Sequence, residues 1–113
     1  MKAVAMLPDL YVGMNKLEKA RAVMLEAMKR AGKIRSWRYE KLTLKLADDC
    51  RYTPDFCVIE NDGGITLEET KGFWRDDAKV KVRVAATQFP EFTFQGLQLA
   101  KGTWSIETFR PLA

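Results

Sequence analysis

Two strand-forming runs, 56–60 and 65–71, stand on either side of Asn61-Asp62-Gly63-Gly64. Four turn-forming residues between two β-prone runs predict a hairpin, and a hairpin fixes which side chains share a face. Along Ile65–Lys71, alternation puts Ile65, Leu67, Glu69 and Lys71 on one side and Thr66, Glu68 and Thr70 on the other. An inward face that ends in Glu and Lys is a conflict. Buried charges are costly unless paired, hydrogen-bonded or bound to a metal, so Glu69 and Lys71 form either a structural ion pair or a site. Thr53-Pro54-Asp55 opens the first strand, and the hairpin returns Asp55 to the end of the second, beside Glu69 and Lys71. A loop that set Asn61 against Gly64, or Glu60 against Ile65, would turn Asp55 away. The shared face therefore predicts a three-residue loop, Asp62-Gly63-Gly64, or a bulge, with the second glycine at positive φ.

The rest of the chain reads as one unit, with no repeat and no linker. A helix is predicted over 15–31: Asn15 is a good N-cap and Glu18 stands where a capping box needs it. Leu17, Ala20, Met24, Ala27, Met28 and Ala31 follow at helical spacing, and Gly32 stops the run. From Ile34 the period becomes two, giving one or two strands that carry Trp37, Tyr39, Leu42, Leu44 and Leu46. Asp76 or Asp77 can cap a second helix reaching Gln88, and strands follow at 92–99 and 104–109. The element order is α, β, β, β, α, β, β. With the second helix read as a crossover, it implies an α/β fold, a mixed sheet flanked by helices.

Composition narrows the chemistry. The 113 residues contain no histidine, which removes Ser-His-Asp and Cys-His nucleophiles and nearly every catalytic zinc site. Cys50 and Cys57 form no CxxC pair and read as reduced thiols of a cytoplasmic protein, and no long apolar run suggests export or a membrane span. Net charge is only +4, but it is concentrated. Lys29, Arg30, Lys33, Arg35, Arg38, Lys41 and Lys45 face the single acid Glu40 between Met28 and Leu46, with Trp37 and Tyr39 interleaved, and Arg75, Lys79, Lys81 and Arg83 follow later. Cations mixed with aromatics suit a phosphate backbone, with Lys33, Arg35, Arg38, Arg75, Lys79 and Lys81 as the expected DNA contacts; a solvated face is the plain alternative.

Two carboxylates beside a lysine have a use that needs no histidine. Asp55 and Glu69 offer hard oxygens suited to Mg²⁺, and Lys71 can orient water and offset charge developing on a phosphodiester under attack. Glu40 reads as a spare acid, expected to partner a neighbouring lysine.

These residues resemble a known family. Pro54-Asp55 with Glu69-Thr70-Lys71 is similar to the PD-(D/E)xK nuclease motif. Tyr52-Thr53-Pro54-Asp55-Phe56, followed by Glu69-Thr70-Lys71-Gly72-Phe73-Trp74 and Asp76-Asp77, resembles the phage junction-resolving endonuclease I (Holliday junction resolvase) family. The resemblance runs from about Asn15 to Phe94 and includes Leu17-Glu18. It implies a single nuclease domain, residues 1–113, with a restriction-endonuclease-like core (α-β-β-β-α-β) at about 15–110 and an N-terminal extension, 1–13, without counterpart. It further implies Mg²⁺-dependent cleavage of branched DNA, with Mn²⁺ as a substitute, in bacterial or phage-infected cytoplasm. Asp55, Glu69, Glu18 and Thr70 would form the metal set, Lys71 would position water, and the protein would act as a homodimer. Two alternatives stay open: a general nicking or single-strand nuclease with the same site, and a DNA-binding module without catalysis.

Overall fold

The computed structural model describes residues 10–111. The extension expected at 1–13 thus lies outside the described residues as far as residue 9. In chain order the elements are α1 (Lys16–Arg30), β1 (Ser36–Tyr39), β2 (Leu44–Ala47), β3 (Cys50–Tyr52), β4 (Phe56–Ile59), β5 (Ile65–Lys71), α2 (Asp76–Gln88), β6 (Thr93–Ala100) and β7 (Thr103–Phe109).

Helix α1 starts as its sequence predicts. Asn15 Oδ1 accepts the Glu18 amide at 2.8 Å, and Glu18 Oε1 accepts the Asn15 amide at 2.9 Å, so two otherwise orphaned donors are satisfied. Helix α2 departs from expectation at its start. Arg75 is the N-cap and makes no side-chain cap bond, while Asp76 and Asp77 occupy the first turn, where their charge favours the helix dipole instead.

Five strands form one mixed sheet in the order β1-β4-β5-β6-β7. Among the described strands only β5 and β6 run parallel, and α2 is the crossover that such a pair requires. The fold is therefore α+β, a mixed five-stranded sheet with two helices. Strands β2 and β3 form a separate two-stranded ribbon; the turn at Asp48 and Asp49, with Asp49 at φ +60°, closes it. The polar composition of 48–51 hides β3 from a reading of the sequence.

Each sheet face has its own core. Ala22, Leu25, Ile34, Phe56 and Val58 are buried together under α1, whereas Leu67, Phe94, Phe109 and the ribbon's Leu44, Leu46 and Tyr52 pack with Val82, Ala85 and Ala86 of α2. The hairpin register is Phe56 opposite Glu68 and Ile59 opposite Ile65. Beyond that ladder the Glu60 amide donates to the Gly64 carbonyl, so the loop is three residues, Asn61, Asp62 and Gly63. The odd loop agrees with expectation; its position is one residue earlier, and Gly63 rather than Gly64 takes the positive φ, +90°. Among the described residues no helix is long and apolar enough to cross a membrane.

Candidate metal centre

The site forms where β1, β4 and β5 end on the side away from the hairpin loop. Asp55 precedes the first ladder residue of β4, so the strict alternation of the strand no longer governs its side chain. Its Oδ2 accepts both the Thr70 amide and the Thr70 hydroxyl at 2.8 Å, and its backbone carbonyl accepts the Glu40 amide at 2.9 Å. Asp55 is buried, and burial raises its carboxyl above the usual range; the Thr70 bonds oppose that rise and the nearby Glu18 charge adds to it. Thr70, expected in the metal set, enters this site as the residue that orients Asp55.

The carboxylate oxygens of Glu18, Glu40 and Asp55 lie within 4.8 Å of one another. Glu18 reaches the cluster from the first turn of α1, where Oε1 also accepts the Tyr39 hydroxyl at 3.0 Å. Burial, and then that bond to a carboxylate, push the Tyr39 hydroxyl's pKa up, so it stays a donor. Glu40 corrects its predicted role. Among the described residues it has no lysine within ion-pair distance, and its backbone at φ +47° turns the chain just after β1 so that its carboxylate meets Asp55 and Glu18. Nothing in the local sequence marks a non-glycine residue for that conformation.

Glu69 and Lys71 stand beside this cluster, on the sheet face covered by α2. Glu69 Oε1 accepts the Tyr52 hydroxyl at 2.9 Å, and Lys71 Nζ lies 3.5 Å from Oε2. Burial, and then the Asp55 charge, push the Glu69 carboxyl up to about 7 despite the Tyr52 and Lys71 contacts. A cavity of about 250 Å³ opens next to Glu69 and Lys71, walled by Tyr52, Trp74 and Lys81. Trp74 can lie there because position 96 is glycine: a Cβ at Gly96 would come 2.7 Å from the indole and 2.6 Å from the Phe109 ring. The three expected acids are thus near one another, but the tight group is Glu18, Glu40 and Asp55, with Glu69 coupled to it through Asp55.

The expected DNA contacts divide. Arg75, Lys79 and Lys81 lie on or beside the first turns of α2, after the site end of β5, with Lys79 Nζ 3.2 Å from Glu107; Arg38 precedes Tyr39 at the site end of β1. Lys33 and Arg35 lie at the opposite end, where Arg35 donates to the Asn61 carbonyl of the hairpin loop at 2.9 Å. The tyrosines at 39 and 52 are the members of the site that strand patterning does not reveal, because their role is set by partners far along the chain.

No known family, curated protein or solved structure matches the chain. The chemistry is therefore read from the donor set. A cation offsets the repulsion among converging carboxylates and favours the ionised forms of Asp55 and Glu69, whose pKa values burial raises, and all-oxygen ligands suit a hard divalent ion, so Glu18, Glu40 and Asp55 could hold a metal.

Proposed function

We propose that the chain is a Mg²⁺-dependent DNA endonuclease of the PD-(D/E)xK type, with a restriction-endonuclease-like core, that nicks branched DNA such as four-way junctions and acts as a homodimer. The observation that carries the reading is the meeting of Asp55, Glu69 and Lys71 at one sheet end with Glu18 and Glu40 from the other side, in a chain without histidine. Asp55, Glu18, Glu40 and Glu69 would hold the metal. When bound, Mg²⁺ supplies Lewis-acid polarisation of a phosphodiester oxygen and lowers the pKa of its water.

The chain's own groups supply the rest. Thr70 holds Asp55 by two bonds, Tyr39 holds Glu18, and Tyr52 holds Glu69, so the acids keep their geometry without substrate. Lys71, partly exposed and next to Glu69, orients the attacking water and offsets negative charge at the phosphorus. Lys81 lies across the same cavity, where a phosphate flanking the cut can be neutralised. Two cuts related by a two-fold axis require two copies of the single site.

The test is cleavage of a labelled four-way junction and of linear duplex, with Mg²⁺ and with chelator. Asp55→Asn, Glu69→Gln and Lys71→Ala should each reduce nicking by orders of magnitude with the circular dichroism spectrum unchanged. Equal cutting of linear duplex would favour a general nickase. Junction binding without cutting, indifferent to chelator, would leave a binding module.

A further inference from the structure

A groove of about 540 Å³ runs between α1 and β1, within the size range of ligand sites. Trp37 and Tyr39 line it, both half-buried, and Lys29, Arg38 and Lys41 stand around it exposed. None of these three cations has a carboxylate within ion-pair distance among the described residues. The one acid that lines the groove among the described residues is already engaged: Glu26 accepts the Trp37 indole N–H at 2.9 Å and the Arg30 guanidinium at 3.0 Å. Those contacts, with the Trp37 ring edge-on to Phe56 at 6.0 Å, fix the indole before any ligand arrives. Leu10 and Val12, which also line it, are 48% and 70% exposed.

Cations without an ion-pair partner among the described residues, beside anchored aromatics, match a ligand that has both phosphates and uncovered base faces. Duplex DNA offers phosphates but keeps its bases stacked, so the aromatic lining would go unused; an unpaired strand offers both. The groove also has a direction. Tyr39 lines it and donates to Glu18 of the acid cluster. We propose that this groove seats an unpaired DNA strand, its bases against Trp37 and Tyr39 and its phosphates along Lys29, Arg38 and Lys41, and leads that strand to the acids. The second half of the proposal rests on the nuclease reading; the binding half does not.

The probe is a short fluorescein-labelled oligo(dT), compared with a closed hairpin duplex, by anisotropy in EDTA over a range of salt. The expected result is binding of oligo(dT) about tenfold or more tighter than of duplex, since stacking of even one base is worth about that much. Lys41→Glu and Arg38→Glu should weaken binding and each lower the salt slope by about 1. Trp37→Phe, which keeps an apolar ring against Phe56, should weaken oligo(dT) by about fivefold and leave duplex unchanged. Lys101→Glu, in the β6–β7 turn at the other edge of the sheet, is the charge-matched control and should change little. Equal affinity for both probes with Trp37→Phe indistinguishable from wild type would overturn the proposal. So would sedimentation in which Lys41→Glu abolishes self-association without affecting oligo(dT), which would give the groove to a second copy. Because binding is read in EDTA, the two readings fail separately: oligo(dT) bound through these residues with no cleavage in Mg²⁺ removes the nuclease alone, and junction cleavage without oligo(dT) binding removes the groove alone.

Discussion

Arg21 grips Glu68 through two parallel bonds, Nε to Oε1 at 2.9 Å and Nη2 to Oε2 at 2.7 Å, with both side chains buried. Arg21 is three residues after Glu18 on α1, and Glu68 immediately precedes Glu69 on β5. The pair therefore sets the depth and rotation at which α1 presents Glu18 to the strand that carries Glu69. Such a pair is a weak source of net stability but is costly to break by halves, since the surviving charge is buried alone. Arg21→Met or Glu68→Leu should each cost about 3–5 kcal/mol in urea unfolding. The double replacement should recover most of that loss, and a cycle with no coupling between the two positions would refute the assignment.

Three hydroxyls hold three carboxylates, and their removal separates orientation from charge. Tyr52→Phe keeps the ring in the core with Leu44, Leu67 and Val82 but takes the donor from Glu69. Activity or metal affinity should fall by about 10–100-fold, the usual effect of losing an outer-shell partner. Tyr39→Phe should have a smaller effect, because Glu18 Oε1 keeps the Asn15 amide. Isothermal titration with Mg²⁺ and single-turnover cleavage measure the two effects.

Without metal, the raised Glu69 carboxyl makes stability depend on pH in a defined direction. The folded chain holds this proton up to about pH 7, whereas an unhindered glutamate releases it near 4.5. Folding is thus helped below 4.5, and that help is lost as pH rises from 4.5 through about 7. Asp55, also raised, acts with the same sign. The melting temperature in EDTA should fall across this window. Glu69→Gln should flatten the fall, and saturating Mg²⁺ should reverse part of it, because the cation favours the ionised acids.

How much of this was legible follows from how far apart the partners are. The cap of α1, the odd hairpin loop and the crossover helix are local, each carried by a few adjacent residues, and the sequence reading agrees with the structure at all three. In the ribbon, Leu44 and Leu46 of β2 follow the predicted alternation, whereas β3 is hidden by the polar Asp48, Asp49 and Arg51; its cohesion comes from Tyr52 packing with Leu44 and Leu46 on α2, which no local pattern records. Alternation placed Asp55 with Glu69, but Asp55 stands outside the ladder and answers to Thr70. Arg21 looks like one more surface cation on α1 until β5, 47 residues on, supplies Glu68.

Glu18 serves the cap and the acid cluster together, and two substitutions separate these duties. Glu18→Gln keeps an oxygen for the Asn15 amide, so stability should change little while Mg²⁺ binding and nicking fall strongly. Asn15→Ala removes the cap donor's acceptor and should cost about 1 kcal/mol with little direct effect on cleavage. A folded Glu18→Gln protein with wild-type Mg²⁺ dependence would return Glu18 to the cap alone.

Glu40 gives the sharpest contrast between stability and site. Its φ of +47° is a conformation that costs a non-glycine residue about 1 kcal/mol, and it brings a third negative charge to Asp55 and Glu18. Both features oppose folding in the absence of a cation. Glu40→Gly should therefore stabilise the metal-free protein by about 1 kcal/mol, through relief of strain and of like-charge repulsion, even though glycine adds entropy to the unfolded chain. The same change should weaken Mg²⁺ binding. Glu40→Gln keeps the strain and removes the charge, so its gain in stability should be smaller and its loss of Mg²⁺ affinity comparable. Thermal melts of the three proteins with and without Mg²⁺ decide the matter: if wild type gains no more from Mg²⁺ than either variant, Glu40 is outside the metal site and its backbone geometry serves the turn alone.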